Sequence, residues 1–268
     1  MHECAESIVL EAGQIALRHF ERLSNIPVEY KGHLDLVTLA DREVERFLTD
    51  EFRKAYPHDG VFGEEGSNHT GTSGRVWVID PIDGTFNFVR GGDQWAISVG
   101  LFERGGPSFG ILHAPVRKQI VIGGKTVAAS MNGVPLEQRH GMEDSHAAVG
   151  VGFHPLIPVE DRLAVLRFVL EEARMTFRCC GSAVISLIQL ALGEVDGYVG
   201  LGDSSWDLVA AFAILEQVGI SSTVDWTQSD LSTKFRYAAG TKEFLAAIEP
   251  IVPFGARLAP VASSSNAE

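Results

Sequence analysis

Two aspartates lie three residues apart in a stretch whose residue types allow both carboxylates to face one point. Asp80 and Asp83 lie in residues 76–88, Val-Trp-Val-Ile-Asp-Pro-Ile-Asp-Gly-Thr-Phe-Asn-Phe. The first four residues are β-formers, so they predict a short buried strand that delivers Asp80 into a turn, which Pro81 and Gly84 favour. Two carboxylates that face one point repel each other unless a cation lies between them. The spacing therefore predicts a divalent metal site at the end of this strand.

Other acidic residues recur at similar places. Asp207 follows a predicted strand in Gly202-Asp203-Ser204-Ser205-Trp206-Asp207, and Glu64 lies in Gly63-Glu64-Glu65-Gly66. Asp207 could simply favour a helix N-terminus, and paired glutamates in a loop are most often solvated. However, ligands bind at the carboxyl ends of strands in open α/β sheets. Together with Asp80 and Asp83 these residues make an all-oxygen set that suits Mg²⁺ or Mn²⁺ better than zinc.

The elements that must position these residues change character along the chain. Residues 3–23 have the spacing of an amphipathic helix, and a second helix follows Thr38 or Asp41, either of which could cap it. Strand patterns then dominate to about residue 135, whereas helices and strands alternate afterwards. We predict an N-terminal α+β half that holds the metal site (1–143), a C-terminal α/β half that completes it (144–250), and a flexible tail (251–268).

Composition narrows the class of protein. The chain has 268 residues, 22 basic against 35 acidic side chains and a formal charge of −13, which makes nucleic acid an unlikely partner. The same charge would repel an anionic substrate unless a local positive centre, such as a metal, attracts it. No apolar run is long enough to span a membrane, and the first residues are acidic where a signal peptide is basic. We therefore expect a cytoplasmic protein with reduced thiols at its three cysteines.

Several other patterns carry no chemistry. Residues 123–126, Gly-Gly-Lys-Thr, lack the earlier glycine of a phosphate loop and predict a hairpin. The Asn-Gly pair at 132–133 also favours a tight hairpin. Five histidines are scattered along the sequence, which indicates structural or surface roles; they are His19, His113, His140, His146 and His154.

Four separate segments resemble one family. Residues 80–88 resemble the metal-binding signature of the inositol monophosphatase family of Mg²⁺-dependent phosphomonoesterases, and Trp206-Asp207 with the apolar residues after it resembles the second signature. Gly63-Glu64-Glu65 and residues 35–41 fall in the family's order. The similarity extends from the first helix to about residue 248. It implies an α+β / α/β fold of the inositol monophosphatase and fructose-1,6-bisphosphatase type, a layered α-β-α-β-α sandwich that is usually a homodimer.

The resemblance also implies roles for individual residues. Glu64, Asp80 and the carbonyl of Ile82 would hold one Mg²⁺, while Asp80, Asp83 and Asp207 would hold a second. Glu64 would help with a third, and Mn²⁺ could replace Mg²⁺.

The resemblance further implies which residues would contact the reacting water and the substrate. Thr85 with Asp41, and Glu64 among the metal ligands, would form the catalytic group that orients or deprotonates water. Backbone N–H groups of Gly84 and Thr85 would hold phosphate oxygens. The complete set of expected substrate contacts is Ile82, Asp83, Gly84, Thr85, Gly181, Ser182, Ala183, Asp203 and Asp207, and Lys31 and Arg90 are further possible contacts.

One position departs from the inositol-specific pattern. Those members have a glutamate six residues before the Trp-Asp pair, where this chain has Gly200. A hydrogen bond to a charged group is typically worth about 1.5 to 3 kcal/mol, so its loss changes substrate preference unless Asp203 substitutes. The nominal substrate is inositol 1-phosphate. Histidinol phosphate, sugar phosphates and nucleotide 3′-phosphates are alternatives from the same family, and a binding protein of RNA polymerase or the ribosome is the alternative from another class.

Overall fold

The computed structural model describes residues 2–23, 28–32, 35–142, 144–228 and 230–251, with no description of side chains at 28–37, 144 and 228. These segments form five layers in the order α-β-α-β-α, as the resemblance implies. Three apolar clusters lie between the layers. The middle helical layer packs on both sheets, so the two halves of the chain share a core.

The first layer consists of α1 (His2–Phe20) and α2 (Leu39–Ala55). Thr38 is the N-cap of α2 and forms a capping box with Asp41: the Thr38 side chain accepts from Ala40 N, and Asp41 Oδ2 accepts from Thr38 N. This confirms that Thr38 caps the helix with Asp41 in its first turn. The apolar faces of both helices pack on the first sheet through residues such as Ala12, Val44 and Leu48. A two-stranded ribbon, β1 (Val28–Gly32) and β2 (Asp35–Thr38), connects the two helices.

The second layer is an eight-stranded sheet with the order β10-β9-β8-β7-β6-β5-β3-β4. Only β3 and β5 are parallel neighbours; every other pair is antiparallel. Both predicted hairpins are present, at residues 125–126 and 132–133. The strands are β3 (Gly60–Gly63), β4 (Asn68–His69), β5 (Arg75–Asp83), β6 (Ala96–Glu103), β7 (Gly106–Ala114), β8 (Gln119–Gly124), β9 (Val127–Met131) and β10 (Val134–Pro135).

The strand that carries the first two aspartates is longer than the sequence predicts. β5 continues past Ile79 to Asp83, so Asp80 does not lie in a turn. Asp80 pairs with Ser98 and Asp83 with Ala96, and the register shifts between the two pairs. The extra residues form a bulge, which bends the strand and allows both carboxylates to point to one side. The short helix α3 (Thr85–Val89) follows directly.

The middle layer contains α5 (Ala183–Leu192) and α6 (Ser205–Leu215). Almost every residue of both helices is buried because sheets cover them on two sides. Gly193 ends α5 in a left-handed conformation, with φ of 76°, as expected for a C-terminal glycine. The N-terminus of α5 lies beside Asp83, because Val184 N donates to Asp83 Oδ2, and the first turn of α6 contains Asp207.

The fourth layer is a five-stranded sheet with the order β12-β11-β13-β15-β14. β11 is parallel to both β12 and β13, whereas β15 is antiparallel to β13 and β14. A register shift between Leu201 and Asp203 gives β13 a bulge at the site, as in β5. The strands are β11 (Ala148–Phe153), β12 (Thr176–Arg178), β13 (Gly197–Ser204), β14 (Ser221–Ser222) and β15 (Lys234–Gly240).

The last layer contains α4 (Val159–Arg167) and α7 (Lys242–Ile248). The apolar spacing of residues 160–175 favours one α-helix, but α4 gives way to a π-helical turn, Phe168–Glu172. Leu163 and Leu170 are 57% and 53% exposed, so only part of the apolar face is buried. Among the described helices, none combines the length and apolar character needed to span a membrane. The expected flexible tail falls outside the described residues from 252 onwards.

Candidate metal and phosphate site

Three of the four predicted carboxylates converge. Asp80, Asp83 and Asp207 each offer an oxygen, and these oxygens lie within 4.8 Å of one another. Asp80 is 1% exposed and Asp207 is 9% exposed. A cation that accepts three carboxylate oxygens would fit this set, and hard divalent ions prefer such ligands. The donor chemistry therefore fits a site for Mg²⁺ or Mn²⁺.

Glu64 reaches the same cavity from a neighbouring strand. β3 runs parallel to β5, Gly63 pairs with Ile79, and Glu64 N donates to the carbonyl of Ile79 at 3.2 Å. Glu64 therefore starts its turn beside Asp80. It lines the cavity with the three aspartates, although it is not part of their compact group.

The local backbone explains how β5 presents its carboxylates. Ile82 N donates to Asp80 Oδ1 at 3.0 Å, which fixes the side chain within the bulge. Gly84 follows with φ of 88°, and a Cβ there would lie 2.7 Å from the carbonyl oxygen of Gln94. Only glycine fits this conformation and this approach without strain. The chain can therefore turn directly into α3 and bring Thr85 into the cavity.

Asp83 joins the two halves of the chain. Its Oδ2 accepts hydrogen bonds from the Ser182 hydroxyl and from Val184 N, the latter at 2.7 Å. Ser182 is the N-cap of α5 and also accepts from Ile185 N at 3.0 Å. Gly181, Ser182 and Ala183 all line the cavity, where the sequence predicts substrate contacts.

Asp207 is placed by the first turn of α6. Ser204 is the N-cap, and Asp207 Oδ2 accepts from Ser204 N at 2.6 Å in a capping box. The helix-capping role and the proximity to Asp80 therefore coexist in one side chain. One oxygen binds the helix N-terminus, which leaves the other available for the site.

The site is destabilised by its own charge when it holds no cation. Burial, with the charges of Glu64, Asp83 and Asp207, raises the pKa of Asp80 well above its ordinary range. Burial raises the pKa of Asp83 to about 6, and burial with the charge of Asp83 raises that of Asp207 to about 8. Clustered carboxylates with raised pKa values are typical of metal and catalytic sites.

The predicted pair Thr85 and Asp41 is also present. Thr85 Oγ1 lies 3.1 Å from Asp41 Oδ1 and 3.0 Å from the carbonyl oxygen of Ile82, so its single proton can be donated to either. Asp41 is 1% exposed, and burial raises its pKa despite the hydrogen bonds from Thr38. A buried carboxylate bonded to a hydroxyl at the edge of a cavity is suited to accept a proton from water.

The cavity has a volume of about 550 Å³ and contains residues that the sequence did not indicate. Lys234 at the start of β15 donates from Nζ to Ser204 Oγ at 2.9 Å and lies 3.4 Å from the carbonyl oxygen of Gly202. His154 also lines the cavity. No local pattern marks either residue, because each reaches the site from a strand or loop distant in sequence.

Asp203 occupies the space that Gly200 leaves. A Cβ on Gly200 would lie 2.4 Å from Asp203 Oδ2 and 2.4 Å from Tyr237 Cε1. Asp203 Oδ2 accepts hydrogen bonds from the hydroxyls of Tyr198 at 3.2 Å and Tyr237 at 2.9 Å. Burial raises the pKa of Asp203 to about 6. The absence of a side chain at residue 200 is thus what allows this carboxylate to be held between two tyrosines.

For two of the expected substrate contacts, Lys31 and Arg90, no described interaction places the side chain in the cavity. The side chain of Lys31 lies outside the described residues. Arg90 is exposed, and its guanidinium lies 5.5 Å from the ring centroid of Phe86, which itself lines the cavity. A role for Arg90 in binding a substrate anion stays a prediction.

A family model described as "Inositol monophosphatase family" matches residues 1–252. The chain belongs to the inositol monophosphatase family. It is 33% identical over 218 residues to an inositol-1-monophosphatase of Rhizobium meliloti, covering 80% of this chain and 82% of the relative. It is 30% identical over 250 residues to "Nus factor SuhB" of Pseudomonas aeruginosa, covering 90% and 92%.

Solved structures support the same family fold. The extragenic suppressor protein suhB of Bartonella henselae superposes with a TM-score of 0.85 at 24% identity, covering 95% of this chain and 99% of that one. An IMPase of Thermotoga maritima gives a TM-score of 0.75 at 26% identity, with coverage of 94% and 100%. The layered fold expected from the resemblance is therefore confirmed. The names of the relatives give no support to the expectation that nucleic acid is an unlikely partner.

Proposed function

We propose that this protein hydrolyses small phosphate monoesters with the help of two or three divalent cations, Mg²⁺ being the preferred ion. The observation that carries the proposal is the convergence of Asp80, Asp83 and Asp207 within 4.8 Å, in the cavity that also contains Thr85. Glu64 and the carbonyl of Ile82 would complete the set of ligands. When bound, the cations would supply Lewis-acid chemistry, acidifying water and balancing charge on the phosphoryl group.

The chain's own groups would orient the reactants. With Asp41 ionised, the Thr85 hydroxyl donates to Oδ1 and can accept a hydrogen bond from water through its lone pairs. Asp41 could then take the water's proton through Thr85, for which its raised pKa is favourable. Backbone N–H groups of Gly84 and Thr85, at the first turn of α3, would bind phosphoryl oxygens.

Asp203 and Lys234 would select the leaving group. Both line the cavity, and they bring opposite formal charges to it. A wall with one acidic and one basic side chain gives no net attraction to a charged leaving group, but it offers hydrogen-bond acceptors and donors to a hydroxylated one. We propose that a polyol phosphate, with inositol 1-phosphate as the nominal case, fits better than histidinol phosphate, a sugar bisphosphate or a nucleotide 3′-phosphate.

A substrate panel tests this function. Phosphate release would be measured with Mg²⁺ and with EDTA on inositol 1-phosphate, fructose 1,6-bisphosphate, histidinol phosphate and a nucleotide 3′-phosphate. We expect Mg²⁺-dependent turnover, with the highest kcat/KM on the polyol ester. No turnover on any ester, or turnover that EDTA leaves unchanged, would contradict the proposed chemistry. A preference for a charged leaving group would contradict only the role of Asp203 and Lys234.

The second candidate function is association with RNA polymerase or the ribosome. Relatives from Xylella fastidiosa and Pseudomonas aeruginosa are named "Nus factor SuhB", which favours this candidate. Co-purification with RNA polymerase, tested with both the wild type and Asp80→Asn, separates the candidates. A stoichiometric complex that persists in the inactive variant would support binding independent of catalysis.

The homodimer expected from the resemblance belongs to the same proposal. Analytical ultracentrifugation would test it, because a dimer has about twice the monomer mass of 29.0 kDa. A monomer at micromolar concentration would contradict it. The cytoplasmic location stays a prediction.

A further inference from the structure

A buried glutamate outside the proposed ligand set lies beneath the turn that carries Glu64. Glu45, on α2, is 2% exposed. Its Oε2 accepts a hydrogen bond from Glu65 N at 2.7 Å, and its Oε1 accepts one from Ser67 N at 2.9 Å. A buried carboxylate is costly unless it is hydrogen-bonded, and here both oxygens bind the backbone of one short turn.

The turn is shaped around this carboxylate. A Cβ on Gly63 would lie 2.6 Å from Glu45 Cδ, so the carboxylate packs directly against the backbone immediately before Glu64. Gly63 N donates to the carbonyl of Ser67 at 2.7 Å, which closes the turn around it. One helical turn further along α2, Thr49 Oγ1 donates to Ser67 Oγ at 3.0 Å. Glu64 is therefore held between a fixed residue before it and a fixed amide after it.

The same face of α2 supports another part of the site. Asp41, Glu45 and Thr49 are spaced four residues apart and therefore lie on one side of the helix. Asp41 binds Thr85, whereas Glu45 and Thr49 bind the turn that carries Glu64. The helix thus fixes the distance between the hydroxyl that would orient water and the carboxylate that would bind a cation.

We propose that Glu45 is a positioning residue that sets the affinity of the site for its divalent cation through Glu64. This inference rests on the proposed function only in assigning Glu64 to a cation. Partners that orient a metal ligand typically contribute about 10- to 100-fold to metal affinity. In Glu45→Gln, one side-chain N–H₂ group faces a backbone N–H, so one of the two hydrogen bonds is lost while the side-chain volume is kept.

The test is a double-mutant cycle with Mn²⁺ as the probe, measured by electron paramagnetic resonance on the full chain. We expect Glu45→Gln to weaken Mn²⁺ binding about tenfold and to raise the Mg²⁺ concentration for half-maximal activity in parallel, with a smaller change in kcat. In a Glu64→Gln background the same change should have no further effect, because Glu45 acts only through Glu64. Faster hydrogen exchange at the amides of Glu65 and Ser67 should accompany the weaker binding.

A matched control is Asp59→Asn, which alters another buried carboxylate. Asp59 is 1% exposed and binds Arg75 and Trp77, with no hydrogen bond to the turn of Glu64 among the described contacts. We expect this variant to unfold at lower temperature with unchanged Mn²⁺ affinity.

Each failure has a distinct signature. Unchanged Mn²⁺ affinity in Glu45→Gln, or additive losses in the double variant, would overturn the inference and leave the phosphatase proposal intact. Conversely, a wild type that binds Mn²⁺ with the expected dependence on Glu45 but hydrolyses no phosphate ester would overturn the proposed function and support the inference.

Discussion

The clustered carboxylates should make stabilisation by the proposed Mg²⁺ depend on pH. The folded-state pKa values of Asp83 and Asp207, about 6 and about 8, lie above the ordinary value of 3.8 because the groups are buried together. Protons therefore favour the metal-free fold: the stability that protonation contributes is fully present below pH 3.8 and is lost as the pH rises through 6 and 8. Mg²⁺ competes with these protons, so its apparent affinity should increase over the same range.

The size of the effect follows from the pKa of Asp207. If Mg²⁺ must displace one proton from a group that titrates near pH 8, its apparent dissociation constant increases about tenfold for each pH unit below that value. Between pH 8 and pH 6 the change is about 50-fold, which corresponds to about 2 kcal/mol more stabilisation at pH 8 when the fixed Mg²⁺ concentration lies near the dissociation constant at pH 6. For a chain of 268 residues this corresponds to about 4 °C in Tm.

The assay is thermal unfolding with EDTA or with Mg²⁺ at pH 6, 7 and 8. We expect the increase in Tm caused by Mg²⁺ to be about 4 °C larger at pH 8 than at pH 6. Asp207→Asn, which removes one of the protonated carboxyl groups and one ligand, should show a smaller increase that depends less on pH than that of the wild type. An increase in the wild type that does not vary with pH would refute the explanation by proton competition, and no increase at any pH would refute the metal site itself.

Three substitutions should separate the roles of other residues. Asp80→Asn should reduce kcat/KM on the order of 10³-fold, about 4 kcal/mol. It should not lower Tm in EDTA at pH 8, because it relieves repulsion among the clustered carboxylates. Unimpaired phosphate release would contradict the role of Asp80. Thr85→Val should reduce kcat about 10²-fold or more while Mn²⁺ affinity changes little, because it removes the hydroxyl through which Asp41 would accept the proton of water. An unchanged kcat would exclude that role of the hydroxyl. Tyr237→Phe should raise KM for a polyol phosphate about 3- to 10-fold at nearly constant kcat, because Asp203 loses a hydrogen-bond donor. An unchanged KM would show that the position of Asp203 does not affect substrate binding.

The parts of the site that the sequence predicts correctly are those with a local physical signature. The capping box of Thr38 and Asp41 and the glycine at residue 84 follow from capping preferences and backbone sterics. The resemblance added Thr85 beside Asp41, and the two side chains are hydrogen-bonded, while their role toward water stays a prediction. These features depend on residues within a few positions of one another, or on a signature that spans them.

What the sequence does not predict depends on packing between distant segments. The bulge between Asp80 and Asp83 arises from pairing with β6, and no periodicity within β5 reveals it. Tyr237 and Lys234 meet Asp203 and Ser204 only because β15 pairs with β13. Glu45 is similar, since its partners belong to a turn beyond the next strand. The one local signal for Glu45 is its position one helical turn after Asp41, on the same face of α2.

Asp83 contacts both halves of the chain and therefore affects how the two halves associate. The same carboxylate belongs to the acidic group in the first half and accepts hydrogen bonds from Ser182 and Val184 in the second. If Asp83 binds a cation as proposed, cation binding and attachment of the second half would be linked equilibria, because both order the same side chain. Separately produced fragments should then reassociate more tightly when Mg²⁺ is present, so that the ion would act as a ligand of the assembly as well as of the reaction.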